Sequence, residues 1–112
     1  MKKVEAVIRE EQLPLVRAAL EEVGYPGITI TAVRGHGRQR GVTQTWRGRE
    51  FTVDLLPKVK LELIVGDGDA DKIAHTIAEN ARTGAVGDGK IWVSAIESVM
   101  RVRTGEVGEV AV

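Results

Sequence analysis

The sequence predicts an α+β domain in which two strand–helix–strand units share one antiparallel sheet. Three observations indicate this: apolar residues that alternate as in strands, apolar residues that recur at helical spacing, and the order strand, helix, strand occurring twice within 112 residues. A chain of this length is expected to form a single domain, residues 1–112, with one modest core. Two such units are what a ferredoxin-like double βαβ sandwich requires, here with a long loop between strands 2 and 3.

The first unit combines an alternating strand, a helix and a β-branched strand. One face of the first strand carries Val4, Ala6 and Ile8. The helix is expected to start near Leu13, with Pro14 in its first turn, where a missing N–H costs little, and to stop at Gly24. Its apolar stripe comprises Leu13, Val16, Leu20 and Val23. Residues 28–33 form the second strand.

The second unit repeats this plan. Its first strand, expected to begin near Val53, places on one face Val59, Leu61, Leu63 and Val65. Asp71 ends a turn and is suited to cap the following helix, which Gly84 is expected to end. The helix buries Ile73, Ala74, Ile77, Ala78 and Ala81, and the next strand carries Ile91, Val93 and Ala95. Residues 99–103 are interpreted as a short edge strand and 105–112 as a loose C-terminal tail.

One face of the predicted sheet is left without helices. On the third strand, one face carries Val59, Leu61, Leu63 and Val65 and the opposite face carries Lys58, Lys60, Glu62 and Ile64, and either could contact another surface. We expect a homo-oligomer that buries the face through mixed polar contacts. A solvated face is the open alternative.

Composition excludes several classes of site. The 16 basic and 16 acidic residues cancel, which argues against a globally basic nucleic-acid coat. Because the chain has no cysteine, a disulfide framework, a thiol nucleophile and a zinc–thiolate site are excluded. His36 and His75 are too dispersed for a histidine metal cluster. No apolar run approaches the roughly 18 residues of a membrane span and no signal-peptide pattern is present, so a cytoplasmic protein is expected.

The basic residues are concentrated in a loop expected over residues 36–54. Five arginines lie from Arg34 to Arg49, among four glycines and few apolar residues, so the segment is not expected to join the core. A loop of this length is usually functional or disordered, and arginine suits bidentate contacts with carboxylates and phosphates. A solvated basic loop without a specific ligand is the open alternative.

Two further segments carry chemistry suited to phosphate. The stretch 84–90 contains three glycines, whose backbone N–H groups can approach an anion closely, and Lys90 adds a positive charge. A helix end followed by a tight turn explains the same stretch. Arg101 and Arg103, at strand spacing, would share a face and clamp an anion, or would be solvated edge-strand charges.

Two residues near the long loop suit other ligands. The amide oxygen of Gln39 is a fair magnesium ligand, and the ammonium of Lys58 can hold a carboxylate. No Ser–His–Asp arrangement or carboxylate pair stands out, so the case for catalysis is weak. A slow ATPase or nucleotide-binding enzyme is retained as an alternative.

Several separated motifs occur in order along the chain: Gly37-Arg38-Gln39, Arg47-Gly48 with Glu50, Asp54 with Leu56-Pro57-Lys58-Val59, Thr83-Gly84, Gly87-Asp88-Gly89-Lys90 and Arg101-Val102-Arg103-Thr104-Gly105. In these motifs the sequence resembles the PII nitrogen-regulatory signal transduction family (GlnB/GlnK-like) across essentially its whole length. The resemblance implies a homotrimer that is not an enzyme. It also implies nucleotide sites between subunits that bind ATP and ADP competitively, and 2-oxoglutarate together with Mg-ATP.

The resemblance assigns site residues. Those implied for ATP or ADP are Thr29, Gly37, Arg38, Gln39, Ile64, Gly87, Asp88, Gly89, Lys90, Arg101 and Arg103. Those implied for 2-oxoglutarate are Gln39, Arg40, Gly41 and Lys58. Gln39 would ligate the magnesium ion of Mg-ATP, and Arg101 and Arg103 would reach the phosphates from a neighbouring subunit.

The resemblance also implies partners. Arg47, with Trp46 and Arg49 beside it, would enter the pore of an ammonium transporter. The transporter would be the chain's sole membrane contact. The alternative target is a soluble protein, namely nitrogenase, glutamine synthetase or a carbon-metabolism enzyme. No nucleic-acid partner is expected. Phe51 stands where the family usually has a tyrosine that is uridylylated, so that modification is chemically impossible here. Residues 10–12, Glu-Glu-Gln, replace a stretch that usually contains proline and lysine, which changes the charge near the base of the cleft.

Overall fold

The computed structural model describes residues 1–35, 42–46, 49–53 and 55–112. The described strands and helices are β1 (Lys2–Arg9), α1 (Leu13–Glu22), β2 (Thr29–Gly35), β3 (Val42–Trp46), β4 (Arg49–Val53), β5 (Leu56–Val65), α2 (Ala70–Ala81) and β6 (Gly89–Ala95). Short 3₁₀ turns lie at 10–12, 67–69 and 109–111. Among the described residues, no helix combines the length and apolar character needed to span a membrane.

The main sheet has the strand order β2-β5-β1-β6, with every neighbouring pair antiparallel. This order and the two helices give the ferredoxin-like α+β sandwich that the repeated strand–helix–strand pattern predicts. The two central strands, β1 and β5, pair over their whole apolar face: Val4 opposes Leu63, Ala6 opposes Leu61 and Ile8 opposes Val59.

The core lies between this face and the helices. Its buried members are Val4, Ala6, Ile8, Val16, Leu20, Val59, Leu61, Leu63, Val65, Ala70, Ile73, Ile77 and Ala81. The alternation in the strands and the helical spacing in α1 and α2 therefore identify the core correctly, because both periodicities place apolar side chains on one side of their element. Full burial of each large side chain contributes roughly 1.5–3 kcal/mol of transfer free energy.

The third strand of the main sheet begins later than the sequence predicts. Val53 belongs to β4, which pairs with β3 in a separate two-stranded sheet, and β5 begins at Leu56. Part of the long loop expected over 36–54 therefore has the backbone of two paired strands, β3 and β4. Both segments are rich in β-branched and aromatic residues, which favour strand pairing.

The start of α2 also differs from the prediction. The helix begins at Ala70, and the N-cap residue is Asp69, which makes no capping hydrogen bond with its side chain. The Asp69 carboxylate instead accepts a hydrogen bond from the Tyr25 hydroxyl, which ties the connection between α1 and β2 to the start of α2. Asp71 lies inside the first turn, where its negative charge favours the positive end of the helix dipole.

The segment after β6 is a tight reversal and not an edge strand. Its described backbone has a single bridge, between Met100 and Val107, with a turn over 102–104. The Arg101 N–H donates to the Glu106 carbonyl at 2.8 Å, and the Gly105 N–H donates to the Arg101 carbonyl at 2.8 Å. Because these bonds and the 3₁₀ turn at 109–111 organise the segment, the interpretation of the last residues as a loose tail is wrong.

Candidate functional site

The loop between α2 and β6, residues 82–88, is folded around the carboxylate of its last residue. The Asp88 Oδ2 atom accepts hydrogen bonds from the Thr83 N–H at 2.8 Å and the Gly84 N–H at 2.9 Å. The Oδ1 atom accepts from the Thr83 hydroxyl and from Arg9 Nε, the latter at 3.0 Å. These donors hold the pKa of the Asp88 carboxyl well below its usual range, the Thr83 hydroxyl most of all, although desolvation opposes them. Asp88 is therefore a fixed anion that organises the loop.

Two cations from the main sheet hold the same loop by its carbonyl groups. Arg9 donates from Nη2 to the Val86 carbonyl at 2.7 Å, and Lys58 donates from Nζ to the Gly87 carbonyl at 2.7 Å. Arg9 and Lys58 are backbone partners in the pairing of β1 with β5, so both side chains emerge at the same end of the sheet. The 82–88 loop is thus attached to the two central strands.

Gly89, where the loop joins β6, is required by the packing of the backbone. Its φ is +113°, a region that other residues rarely adopt, and a Cβ atom there would lie 1.8 Å from the Val7 carbonyl oxygen. The glycine therefore allows β6 to pair closely with β1. Gly87 also has a positive φ of 101°.

Lys58 is a buried ammonium, with 8% of its surface exposed. Burial is the largest effect on the pKa of its ammonium and lowers it, and the nearby charge of Arg9 lowers it further. The carboxylates of Glu11 and Asp88 act in the opposite direction. A small anion bound beside Lys58 would relieve the electrostatic cost of placing two cations together, so the position is chemically suited to a carboxylate.

Strand pairing places several predicted site residues on the open face of the sheet. Residues directly opposite each other in a sheet share a face. Lys58 opposes Arg9, Ile64 opposes Lys3, Lys90 opposes Val7, and Thr29 opposes Glu62. All of them lie on the face opposite to the helices, and Lys58 and Lys90 lie at its end beside the 82–88 loop.

A ladder of alternating charges crosses the same face. Glu5, which is 7% exposed, accepts from Lys3 Nζ at 2.9 Å and from Lys60 Nζ at 3.1 Å. Lys60 also lies 3.3 Å from the Glu62 carboxylate. The two lysines lower the pKa of Glu5, and the two glutamates raise the pKa of Lys60. The open face therefore carries an ordered surface of mixed charge.

The structure does not bring Arg101 and Arg103 to the 82–88 loop within one chain. They follow the end of β6 at Ala95, which pairs with Lys2, whereas the loop adjoins the other end. The prediction that they share a strand face is wrong, because Arg103 lies in the turn over 102–104. Arg101 Nη1 lies 3.6 Å from a carboxylate oxygen of Glu106.

Part of the predicted site lies outside the described residues. This applies to Gly37, Arg38, Gln39, Arg40, Gly41 and Arg47. Of Trp46, Arg49 and Phe51 the structure describes the backbone, in β3 and β4.

Arg9 and Thr83 were missed as site residues by reasoning from the sequence. Arg9 is the last residue of an alternating strand, and its partner Asp88 is 79 residues away along the chain. Nothing local in the sequence indicates that contact. Thr83 directly precedes Gly84 in one of the motifs, but its role depends on the fold of the loop.

Comparisons with known proteins agree with this architecture. The sequence profile of the family described as "Nitrogen regulatory protein P-II" matches residues 1–106. A protein named nitrogen regulatory protein P-II 2 from Methanothermobacter thermautotrophicus is 51% identical over 112 residues, which cover 100% of this chain and 97% of that protein. Proteins named nitrogen regulatory protein P-II from Rhizobium meliloti and Pasteurella multocida are each 51% identical, covering 96% and 100% of both chains respectively.

Proposed function

Because the chain belongs to the P-II family of nitrogen regulatory proteins, we propose that it senses ATP or ADP and 2-oxoglutarate and passes this signal to a partner protein. Proteins of this family have a general role in nitrogen regulation and are generally non-enzymatic signalling proteins. They generally bind ATP or ADP and 2-oxoglutarate. The observation that carries the proposal is the bond from the Lys58 ammonium to the Gly87 carbonyl, since it links a residue proposed for 2-oxoglutarate to one proposed for the nucleotide.

The proposed nucleotide site is built around the start of β6. Gly87, Gly89 and Lys90 would hold the phosphates, and the remaining contacts would come from Thr29, Ile64, Gly37 and Arg38. Asp88 contributes by shaping the loop, because its carboxylate is occupied by donors from the chain itself. Arg101 and Arg103 would reach the phosphates from a neighbouring subunit of a homotrimer, which fits their separation from the loop within one chain.

The proposed 2-oxoglutarate site lies beside Lys58. The buried ammonium would neutralise a carboxylate of the ligand, and Gln39, Arg40 and Gly41 would contribute further polar contacts. Gln39 would also ligate the magnesium ion that accompanies ATP, since amide oxygens suit this hard cation. The ion would neutralise phosphate charge between the two ligands.

The proposed output is carried by the long loop. Binding of the dicarboxylate at the loop's base gives the two ligand states different contacts, which a switch requires. We place the protein in the cytoplasm and its arginine-bearing loop, with Trp46, Arg47 and Arg49, in the pore of an ammonium transporter. A soluble nitrogen- or carbon-metabolism enzyme is the second candidate partner. Pull-down from membranes with and without 2-oxoglutarate separates the two.

The proposal is tested by calorimetry of Mg-ATP binding in the presence and absence of 2-oxoglutarate. We expect the effector to tighten ATP binding by about 5- to 150-fold, the usual range of such coupling. Lys58→Met, which removes the ammonium but keeps the chain length, should reduce this factor to about one. Lys72→Met, at an exposed position of α2, is the matched control and should retain the coupling. Equal coupling in Lys58→Met and the wild type would show that Lys58 does not join the two sites.

A further inference from the structure

The turn between β1 and α1, residues 10–12, places two acidic side chains at the Lys58 end of the sheet. It follows directly on Arg9, the backbone partner of Lys58, and packs against β5. Gln12 Nε2 donates to the Asn80 carbonyl at 3.1 Å, which attaches the turn to the end of α2. The turn is thus held by sheet and helix beside the cationic pair.

Of the two acids, Glu11 acts on Lys58. The carboxylates whose charges raise the pKa of Lys58 are those of Glu11 and Asp88. Asp88 is already occupied by Arg9, Thr83 and Gly84. Glu11 is exposed, and its carboxylate acts on Lys58 through its charge.

We propose that Glu11 weakens the binding of a small dicarboxylate at Lys58. This inference rests on the proposed function, in which Lys58 receives 2-oxoglutarate. The Glu11 carboxylate would repel a dianion bound at Lys58. Because Glu11 is attracted to the same ammonium, it would also reduce the net attraction of Lys58 for the dianion. The wild-type chain would therefore respond at higher concentrations of the effector than a chain with an uncharged residue at this position.

The experiment measures the affinity for 2-oxoglutarate by calorimetry at saturating Mg-ATP. Glu11→Gln should bind about three- to tenfold more tightly than the wild type at low ionic strength, and Glu11→Lys more tightly still. The difference should shrink at roughly 0.5 M salt, because an exposed charge is screened over a few ångströms there. Glu10→Gln, in the same exposed turn, is the matched control and should stay within about twofold of the wild type.

The outcomes separate the two proposals. If the wild type binds 2-oxoglutarate and Glu11→Gln binds it equally or more weakly, the role of Glu11 is wrong and the proposed function stands. A gain of the same size at low and high salt would replace the electrostatic explanation with a direct contact and would also overturn the inference. If none of the four proteins binds 2-oxoglutarate, the proposed function and this inference both fail.

Discussion

The Asp88 side chain shows how one residue can determine the shape of a whole loop. Its carboxylate accepts from two backbone N–H groups, one hydroxyl and one guanidinium, and these donors come from the start of the loop and from β1. Charge-assisted bonds of this kind are stronger than neutral ones. The ionised carboxylate stabilises the fold more than the protonated form does, so the contribution of Asp88 to stability depends on pH.

Asp88→Asn should destabilise the protein at neutral pH and have a smaller effect in acid. The pKa of Asp88 is lower in the folded chain than its unfolded value of about 3.9, so its stabilisation is complete at neutral pH and is lost as the pH falls below about 4. Urea unfolding at pH 7, 4 and 3 measures the difference between variant and wild type. Glu79→Gln, at an exposed position of α2, is the control for removal of an acid. An unchanged difference at pH 3 and pH 7 would contradict the assignment.

At the scale of elements, the close pairing of β6 with β1 positions the loop. Gly89 has room for no side chain, because the Val7 carbonyl occupies the position of a Cβ atom. Gly84, in the loop itself, also has a positive φ but has open space around it. Substitution of each glycine therefore distinguishes the free-energy cost of backbone strain from the cost of steric overlap.

Gly89→Ala should destabilise the fold by more than Gly84→Ala. Both variants place a side chain at positive φ, which costs of order 1–3 kcal/mol, but only Gly89→Ala must also move β1 away from β6. Denaturant unfolding gives the two free energies, and hydrogen exchange of the β1 and β6 amides locates the change. Equal losses of stability in the two variants would mean that β1 can move away from a side chain at position 89 without a measurable loss of free energy of unfolding.

The elements differ in how far the sequence predicts them. The strands around Leu61 and the helix around Ile77 follow from periodicity, since burial on one side imposes a spacing of two or of about 3.6. β3 and β4 escape this reasoning, because they pair with each other in a separate two-stranded sheet, whereas the periodicity predicts the strands of the main sheet. The reversal at Gly105 is equally hidden, as Arg101 and Arg103 alternate in sequence but are separated by a turn. Site residues from one local motif, such as Gly87–Lys90, are readable in sequence, whereas Arg9 is not.

At the scale of the whole molecule, the proposed nucleotide site would be incomplete in a single chain. Lys90 lies at the end of the open face where the 82–88 loop attaches, and Arg103 follows the opposite end of β6. The face between them carries the Lys3, Glu5, Lys60 and Glu62 ladder, an ordered polar surface suited to meeting another copy. In a cyclic trimer each interface is formed by two different surfaces, so a cleft can take Lys90 from one subunit and Arg103 from the next.

Mixed trimers test this arrangement directly. Lys90→Ala and Arg103→Ala should each abolish tight ATP binding when alone, because every cleft then lacks one phosphate contact. When equal amounts are unfolded together and refolded, about a quarter of the clefts should pair an intact Lys90 with an intact Arg103 from the next subunit. Light scattering checks that the mass is that of three 12.1 kDa chains, and ATP titration counts the restored sites. If both residues served one site within a chain, refolding the mixture would restore no site, because every chain carries one defect.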